Sequence, residues 1–299
     1  MDMLTITNLK KRFGDKEVLC GLNLSVPSNS VFGFVGRNGA GKTTTMKAVL
    51  GLLKPDDGQI FVSGKKVVWG QTETNQYIGY LPDVPEFYSY MTPFEYLIFC
   101  GEICGMKKSD IKERSTKLLS LVGLENENHR IKGFSRGMKQ RLGIAQALLR
   151  RPKLLICDEP TSALDPEGRK EILDILVAVK EETTVLFSTH ILSDVERICE
   201  EVAFLNEGKI VMQGKVSEIR NIRSSKEFTL EVINREDTKK LMDNFKDIRH
   251  TEENTLVFSG EENKVFDVLR YVYENKISIQ KMERIEPSLE DVFLEVMKK

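Results

Sequence analysis

The sequence lacks the features of membrane-spanning and exported proteins. Its apolar runs, such as residues 153–157 and 202–205, have the length of strands, and none approaches the ~20 residues needed to cross a bilayer. The N-terminus has no basic region followed by an apolar stretch, so we expect no signal peptide and a cytoplasmic location. The formal net charge is only −1, which provides no basic field for a nucleic acid.

Cysteine is scarce, and its pattern excludes a disulfide framework. There are five cysteines, an odd number, and no export signal accompanies them, which predicts reduced thiols. Cys100 and Cys104 lie one helical turn apart, but no CxxC pair or nearby histidine completes a metal site. We interpret both as small packing residues.

The hydrophobic pattern predicts a large α/β domain over residues 1–220. The first 30 residues alternate as strands do, and residues 31–35 form a buried strand that leads into a glycine-rich turn and a helix over 43–52. Residues 58–68 indicate two more short strands, which makes an antiparallel β subdomain. Beyond residue 153, strands alternate with helices, the longest over 166–182, as is typical of a parallel sheet covered on both faces.

A helical insertion over about residues 92–150 interrupts this domain, and a small domain follows it. Thr92, Ser109 and Ser135 are predicted to begin the three helices of the insertion. Residues 221–299 show the order β-α-β-β-α-β and a final helix. That order predicts a ferredoxin-like α+β module.

The glycine-rich turn carries the strongest functional signal. It reads Gly36-Arg37-Asn38-Gly39-Ala40-Gly41-Lys42-Thr43 and matches G-x-x-x-x-G-K-[ST] at every fixed position. In such a loop, backbone N–H groups and the N-terminus of the following helix face the phosphates of a nucleotide. The residues expected to hold them are Gly36, Asn38, Gly39, Ala40, Gly41, Lys42, Thr43 and Thr44. Lys42 supplies a cation for the β- and γ-phosphates, and the Thr43 hydroxyl is a ligand for Mg²⁺.

Two acidic residues complete this predicted P-loop NTPase site. Asp158 and Glu159 end an apolar strand, and ligands bind at the carboxyl ends of strands in such sheets. We expect Asp158 to hold Mg²⁺, and Glu159 to orient or deprotonate the attacking water.

These motifs, with those between them, resemble the ATPase subunit of ATP-binding-cassette (ABC) transporters over residues 2–220. The segment Phe134–Arg141 is similar to the family signature, residues 162–165 to its D-loop, and His190 to its switch histidine. The resemblance implies ATP as substrate and a head-to-tail dimer, which is a homodimer or a heterodimer, with each ATP between two subunits. It implies catalytic roles for Lys42, Glu159 and His190. The further nucleotide contacts that it implies are Phe13 against adenine, Ser135, Gly137 and Asp165.

Two departures from the common family pattern point to one branch of it. Arg136 follows Ser135 where the common signature LSGGQ has glycine, and Asp83 occupies the place of the Q-loop glutamine, where we expect a contact with Mg²⁺. Both resemble the bacterial ABC-2-type exporter ATPases, as does the C-terminal segment 286–294. That branch implies a transmembrane permease on a separate chain and a peripheral position at the inner face of the cell membrane.

Two other functions are alternatives to a transport ATPase. A cassette ATPase that acts on nucleic acid or ribosomes would usually carry long coiled coils, zinc CxxC pairs or two cassettes, and this chain has none of them. A regulatory protein that binds ATP without hydrolysis would not need Glu159 and His190. The aromatic cluster of Phe87, Tyr88 and Tyr90 either docks a helix of the membrane subunit or packs locally.

Overall fold

The computed structural model describes residues 2–71, 73–221, 227–260, 262–285 and 288–296. The chain divides into two compact units, one that reaches to Val216 and one from Ser217 to Glu295. The sequence places the boundary after residue 220, close to the division at Val216.

The first unit begins with strands and is interrupted by helices. Its strands are β1 (Asp2–Phe13), β2 (Lys16–Pro27), β3 (Val31–Gly36), β4 (Asp57–Val62), β5 (Lys65–Lys66), β6 (Ile78–Leu81), β7 (Leu154–Asp158), β8 (Thr184–Thr189), β9 (Glu201–Asn206) and β10 (Lys209–Lys215). Its helices are α1 (Lys42–Val49), α2 (Pro93–Ile103), α3 (Lys108–Leu121), α4 (Arg136–Leu148), α5 (Pro166–Ala178) and α6 (Leu192–Ile198), and α7 (Val216–Asn221) lies at the division.

Two sheets of this unit share one apolar core. The antiparallel sheet has the order β2-β1-β4-β5 and the larger sheet the order β10-β9-β3-β8-β7-β6. In the larger sheet all neighbours are parallel except β10, which runs antiparallel to β9. Every residue of β3, β7 and β8 is buried, so this sheet is covered on both faces, as predicted. Because these parallel strands are neighbours, their carboxyl ends lie side by side.

The predicted helical insertion is present, with one correction. Thr92 and Glu95 form a complete capping box at the start of α2, and the Ser135 hydroxyl caps α4 by accepting a hydrogen bond from Met138 N. The prediction that Ser109 begins α3 is wrong. The helix begins at Lys108, so Ser109 already lies in its first turn and bonds to Asp110 instead.

Two other helices are shorter than their sequence pattern predicts. Helix α1 ends at Val49 instead of residue 52, because the chain turns at Gly51, whose φ is 68°. Helix α5 ends at Ala178 instead of residue 182. The residues predicted as its last turn instead form a turn closed by hydrogen bonds from Glu182 N and Thr183 N to Val179 O, and this turn leads the chain into β8.

Helix α4 packs very closely against the edge strand β6. A Cβ atom at Gly79 would lie 2.3 Å from Ala147 O, and one at Gly143 would lie 2.5 Å from Leu81 Cδ1. Real Cβ atoms do not approach a backbone oxygen so closely, so position 79 requires glycine, whereas a side chain at position 143 would have to displace Leu81. The contact fixes the C-terminal half of α4 on the sheet.

The second unit has its own antiparallel sheet and core. Its strands are β11 (Glu227–Val232), β12 (Ile248–Glu252), β13 (Thr255–Ser259) and β14 (Ile279–Arg284), and its helices are α8 (Arg235–Asn244), α9 (Glu262–Glu274) and α10 (Leu289–Val296). The strand order β12-β13-β11-β14 is that of a ferredoxin-like module, as the sequence predicts. Leu230, Leu256 and Phe258 are fully buried at the centre of its core.

Candidate functional site

The glycine-rich loop connects β3 to α1 at the carboxyl edge of the parallel sheet. Gly41 precedes the helix with φ of 114°, a conformation that L side chains rarely adopt. A Cβ atom there would also lie 2.8 Å from Leu19 Cδ2. The backbone geometry therefore requires the glycine that the motif specifies.

A cavity of about 320 Å³ opens in front of this loop. Its lining residues are Asn38, Gly39, Gly41, Lys42, Thr43, Thr44, Asp83, Asp158, Glu159, Ser162 and His190. The cavity brings together most residues that the sequence selects. The exceptions are Gly36, Ala40, Phe13, Ser135, Gly137 and Asp165.

Lys42 lies inside the loop with its ammonium group almost completely buried. Its Nζ donates to Gly36 O at 2.6 Å and Arg37 O at 3.3 Å. It also lies 3.0 Å from Glu159 Oε1. A buried cation with carbonyl and carboxylate partners avoids most of its desolvation cost, and it places positive charge at the cavity wall.

Two oxygen-bearing side chains, those of Thr43 and Asp158, meet beside the loop. The Thr43 hydroxyl donates to Asp158 Oδ2 at 2.7 Å, and the Ser188 hydroxyl donates to Asp158 Oδ1 at 2.7 Å. Asp158 is therefore held from both sides. A hydroxyl and a carboxylate in contact at a cavity wall are hard oxygen ligands of the kind Mg²⁺ prefers, so the residues fit that ion.

Glu159 has an unusual backbone and two charged neighbours. Its φ is 49°, in the left-handed region, which is strained for a non-glycine residue. Its N–H donates to Ser188 Oγ at 3.0 Å, and its Oε2 lies 2.9 Å from His190 Nδ1. A carboxylate only accepts, so Nδ1 of His190 carries the proton in this contact. Glu159 is thereby oriented between Lys42 and His190.

Asp83 lies at the cavity but also contacts the insertion. Its Oδ1 is 3.3 Å from Arg136 Nη2, and Gln140 Nε2 donates to its carbonyl oxygen at 2.6 Å. Burial raises the pKa of the Asp83 carboxyl above its usual value, and the negative charges of Asp158 and Glu159 raise it further, whereas Arg136 lowers it.

Ser135, Gly137 and Asp165 of the signature and D-loop do not line the cavity of their own chain, although Ser162 of the D-loop does. Ser135 and Asp165 each cap a helix, and Asp165 Oδ1 accepts from Gly168 N at 3.2 Å. A Cβ atom at Gly137 would meet nothing nearer than 3.9 Å, with Leu164 of the D-loop at 4.0 Å. The two motifs are therefore neighbours on an open surface.

Phe13 lies at the end of β1 with its ring half exposed. Lys11 Nζ lies 5.4 Å from the ring centroid. A second cavity begins three residues further along the chain and shares Asn38 and Gly39 with the first. Phe13 lines neither cavity.

Sequence reasoning missed several residues that position the predicted ones. Ser188 joins Asp158 and Glu159, and Arg136 pairs with Asp83. Asp194 on α6 is also buried and accepts from Thr161 Oγ1 at 2.8 Å and Arg169 Nε at 2.6 Å. A polar residue at the end of an apolar strand was the available signal for Ser188, whereas the other pairs join segments far apart in sequence.

Two family models match the chain. One is described as "ABC transporter" and matches residues 19–162. The other is described as "ATP-binding protein DrrA1-3-like, C-terminal domain" and matches residues 214–297.

Similar proteins share this organisation along their whole length. An ABC transporter ATP-binding protein, YxlF of Bacillus subtilis, is 38% identical over 99% of this chain and 99% of its own. The bacitracin transport ATP-binding protein BcrA of Bacillus licheniformis is 36% identical over 99% of this chain and 97% of its own.

Solved structures match about three quarters of the chain. The ATP-binding cassette MJ1267 in its ADP conformation superimposes with a TM-score of 0.67 at 26% identity, over 74% of this chain and 94% of that one. The chain belongs to the ABC transporter ATP-binding proteins of the ABC-2 exporter branch, and it is an ATP-binding and ATP-hydrolysing subunit that powers a membrane transporter.

Proposed function

We propose that the described cavity binds ATP and that each residue around it has the role its contacts support. This proposal rests on one observation. A single cavity is lined by the loop lysine, the oxygen-bearing side chains of Thr43 and Asp158, and the oriented glutamate. Residues 36–44 hold the phosphates, with Lys42 as their cation. Phe13 is the proposed contact of the adenine, since its ring is half exposed and Lys16, three residues further along the chain, lines the second cavity.

Thr43 and Asp158 are the proposed ligands of Mg²⁺. Their side-chain oxygens touch, and Ser188 fixes the other carboxylate oxygen of Asp158. Bound Mg²⁺ would neutralise charge on the transferring phosphoryl group. Asp83 is a proposed contact in the outer shell of the ion, because its carboxylate lines the same cavity but is paired with Arg136.

Glu159 is the proposed general base and His190 its positioning partner. The carboxylate is ready to accept a proton from water, because His190 holds Oε2 at 2.9 Å. Proton transfer by a positioned side chain contributes about 10²–10⁴-fold to rate. Lys42 and Glu159 lie 3.0 Å apart, so phosphate binding and base orientation share one wall of the site.

Ser135, Gly137 and Asp165 are proposed to act on the nucleotide of a second copy or a related subunit. The support is their position, since they lie outside the cavity of their own chain on an open surface. The Ser135 cap leaves the N-terminus of a 13-residue helix at that surface, and such a terminus favours anions. ATP would then bridge two subunits in a head-to-tail dimer.

A separate transmembrane permease is the proposed membrane partner, and nucleic acid is not. In the described ranges, no helix is long and apolar enough to span a membrane. Tyr88 packs edge-on against Phe99 at 5.4 Å, and Phe87 against Tyr96 at 5.1 Å, while Tyr90 is largely exposed. This surface suits a docked helix and would hold the subunit at the inner face of the membrane.

The two units are proposed to have different functions. Residues 1–220 form the ATPase domain, which contains every residue of the cavity. Residues 221–299 form an accessory domain for assembly or regulation.

Glu159→Gln tests the proposed site. The variant should bind ATP with unchanged affinity, hydrolyse it at least about a hundredfold more slowly, and accumulate as an ATP-bound dimer in light scattering. Glu181→Gln, at an exposed glutamate in the turn before β8, is the control and should resemble the wild type. An active Glu159→Gln variant that stays monomeric with ATP and Mg²⁺ would contradict the assignment.

A further inference from the structure

One ion pair joins the two positions at which the chain departs from the common family pattern. Asp83 and Arg136 are 53 residues apart in sequence, yet Arg136 Nη2 lies 3.3 Å from Asp83 Oδ1. One residue follows the edge strand β6, and the other is the first residue of α4. The acidic and the basic replacement therefore compensate each other inside one chain.

The backbone on both sides of this pair is fixed. The fully buried Gln140 donates from Nε2 to Asp83 O at 2.6 Å. Leu81 packs closely against Gly143, where a Cβ atom would lie 2.5 Å from Leu81 Cδ1. With both backbones held, the ion pair acts on the side chains and on the exposed first turn of α4.

The charges around Asp83 explain why it needs a cation. Asp158 and Glu159 line the same cavity, and their carboxylates repel that of Asp83. Arg136 supplies the positive charge on the other side. Both partners are nearly half exposed, so the pair contributes little to overall stability.

We propose that Asp83 and Arg136 act as one positioning unit, which sets the first turn of α4, and with it Ser135 and Gly137, relative to the phosphate cavity of the same chain. This inference rests on the proposed ATP-driven dimer, in which Ser135 and Gly137 meet a second nucleotide. Removal of either partner breaks the pair, so the first turn of α4 loses its position. Removal of the second partner then adds no further loss.

The unit therefore predicts that the effects of the two substitutions are not additive. In a Glu159→Gln background, the ATP concentration that gives half-maximal dimerisation is measured by light scattering with Mg²⁺. Arg136→Gln should raise it roughly fivefold or more, since one charge pair of about 1 kcal/mol corresponds to about that factor. Addition of Asp83→Asn should leave it within about twofold of the value for Arg136→Gln, because the pair is already broken.

A matched pair in the same insertion controls for the loss of surface charge. Glu113 and Lys117 form an exposed ion pair on α3 at 2.6 Å, and neither lines the cavity. Glu113→Gln with Lys117→Gln should leave dimerisation unchanged. Thermal unfolding of every variant should lie close to that of the parent, which excludes general misfolding.

Other roles for Arg136 predict different results in the dimerisation assay. A double variant that is worse than either single variant would overturn the inference, because Arg136 would then act alone, for example on the nucleotide of the second subunit. If the Glu159→Gln parent itself does not dimerise with ATP, the proposed function fails before the pair is tested. A change in ATP affinity of the monomer, measured with a fluorescent ATP analogue, should be absent in Arg136→Gln.

Discussion

Asp194→Asn is expected to lower the free energy of unfolding of the first unit by about 2 kcal/mol. Asp194 is 2% exposed and accepts hydrogen bonds from Thr161 and Arg169. Asparagine keeps the shape but removes the charge. The bond from Arg169 then ends on a neutral oxygen instead of a carboxylate, a loss of about 1 kcal/mol, and the partly buried guanidinium loses its counterion at a cost of about another 1 kcal/mol.

The assay is thermal unfolding of the full chain, with the ATP-sensitive transition assigned to the first unit. A change of about 2 kcal/mol shifts the Tm of a domain of 150–250 residues by roughly 4–8 °C. The same two helices offer a matched control, because Arg197 on α6 pairs with Asp174 on α5 at 2.8 Å and both are well exposed. Asp174→Asn should cost less than about 1 kcal/mol.

The buried pair should also affect hydrolysis. Thr161 lies two residues after Glu159, and His190 lies four residues before Asp194, so a shift of Asp194 misplaces both ends of the Glu159–His190 contact. We expect kcat to fall more than KM rises. Equal Tm shifts in Asp194→Asn and Asp174→Asn would refute the reasoning that burial decides the cost.

Three further results are expected. Lys42→Ala should weaken ATP binding about 10- to 100-fold in calorimetry, because a charge-assisted contact of about 1.5–3 kcal/mol is lost, and unchanged affinity would reject the phosphate site. Ser188→Ala should lower kcat with little change in ATP affinity, since the hydroxyl holds both Asp158 Oδ1 and Glu159 N; a wild-type rate would show that the neighbouring strands alone position both acids. A chain that ends at Asn221 should fold and bind ATP with wild-type affinity, as every residue lining the cavity precedes it, and a folded fragment without ATP affinity would contradict the domain proposal.

Local pattern was sufficient to predict the fold and the centre of the site. The strand, glycine-rich loop and helix around Lys42 follow one another directly, and the apolar strand before Asp158 brings its carboxylate to the same edge. The ferredoxin-like module was predicted from the order of its elements alone. In each case the information lies within one short segment or in the succession of segments.

Contacts across the fold were beyond the sequence. Ser188 reaches Asp158 only because β7 and β8 pair in register, with Asp158 opposite Ser188. In the sequence, Arg136 and Asp83 are two separate departures from the common family pattern, since neither segment indicates that the other lies beside it. Helix ends were also misjudged at Ser109, where a residue with good capping chemistry falls one position inside the helix.

The glycine contacts of α4 have a mechanical consequence. Gly143 is seated against Leu81, and Ser135 lies eight residues before it, so the N-terminal end of the helix lies about 12 Å from that contact. A rotation of only about 5° about the seated half would carry Ser135 about 1 Å sideways over that length. Displacements of about 1 Å can change reaction rates about a hundredfold. A small rotation of α4 about its contact with β6 is therefore enough to affect the chemistry at its N-terminal end. Small movements of the strand edge are enlarged at the end that is proposed to meet a second nucleotide.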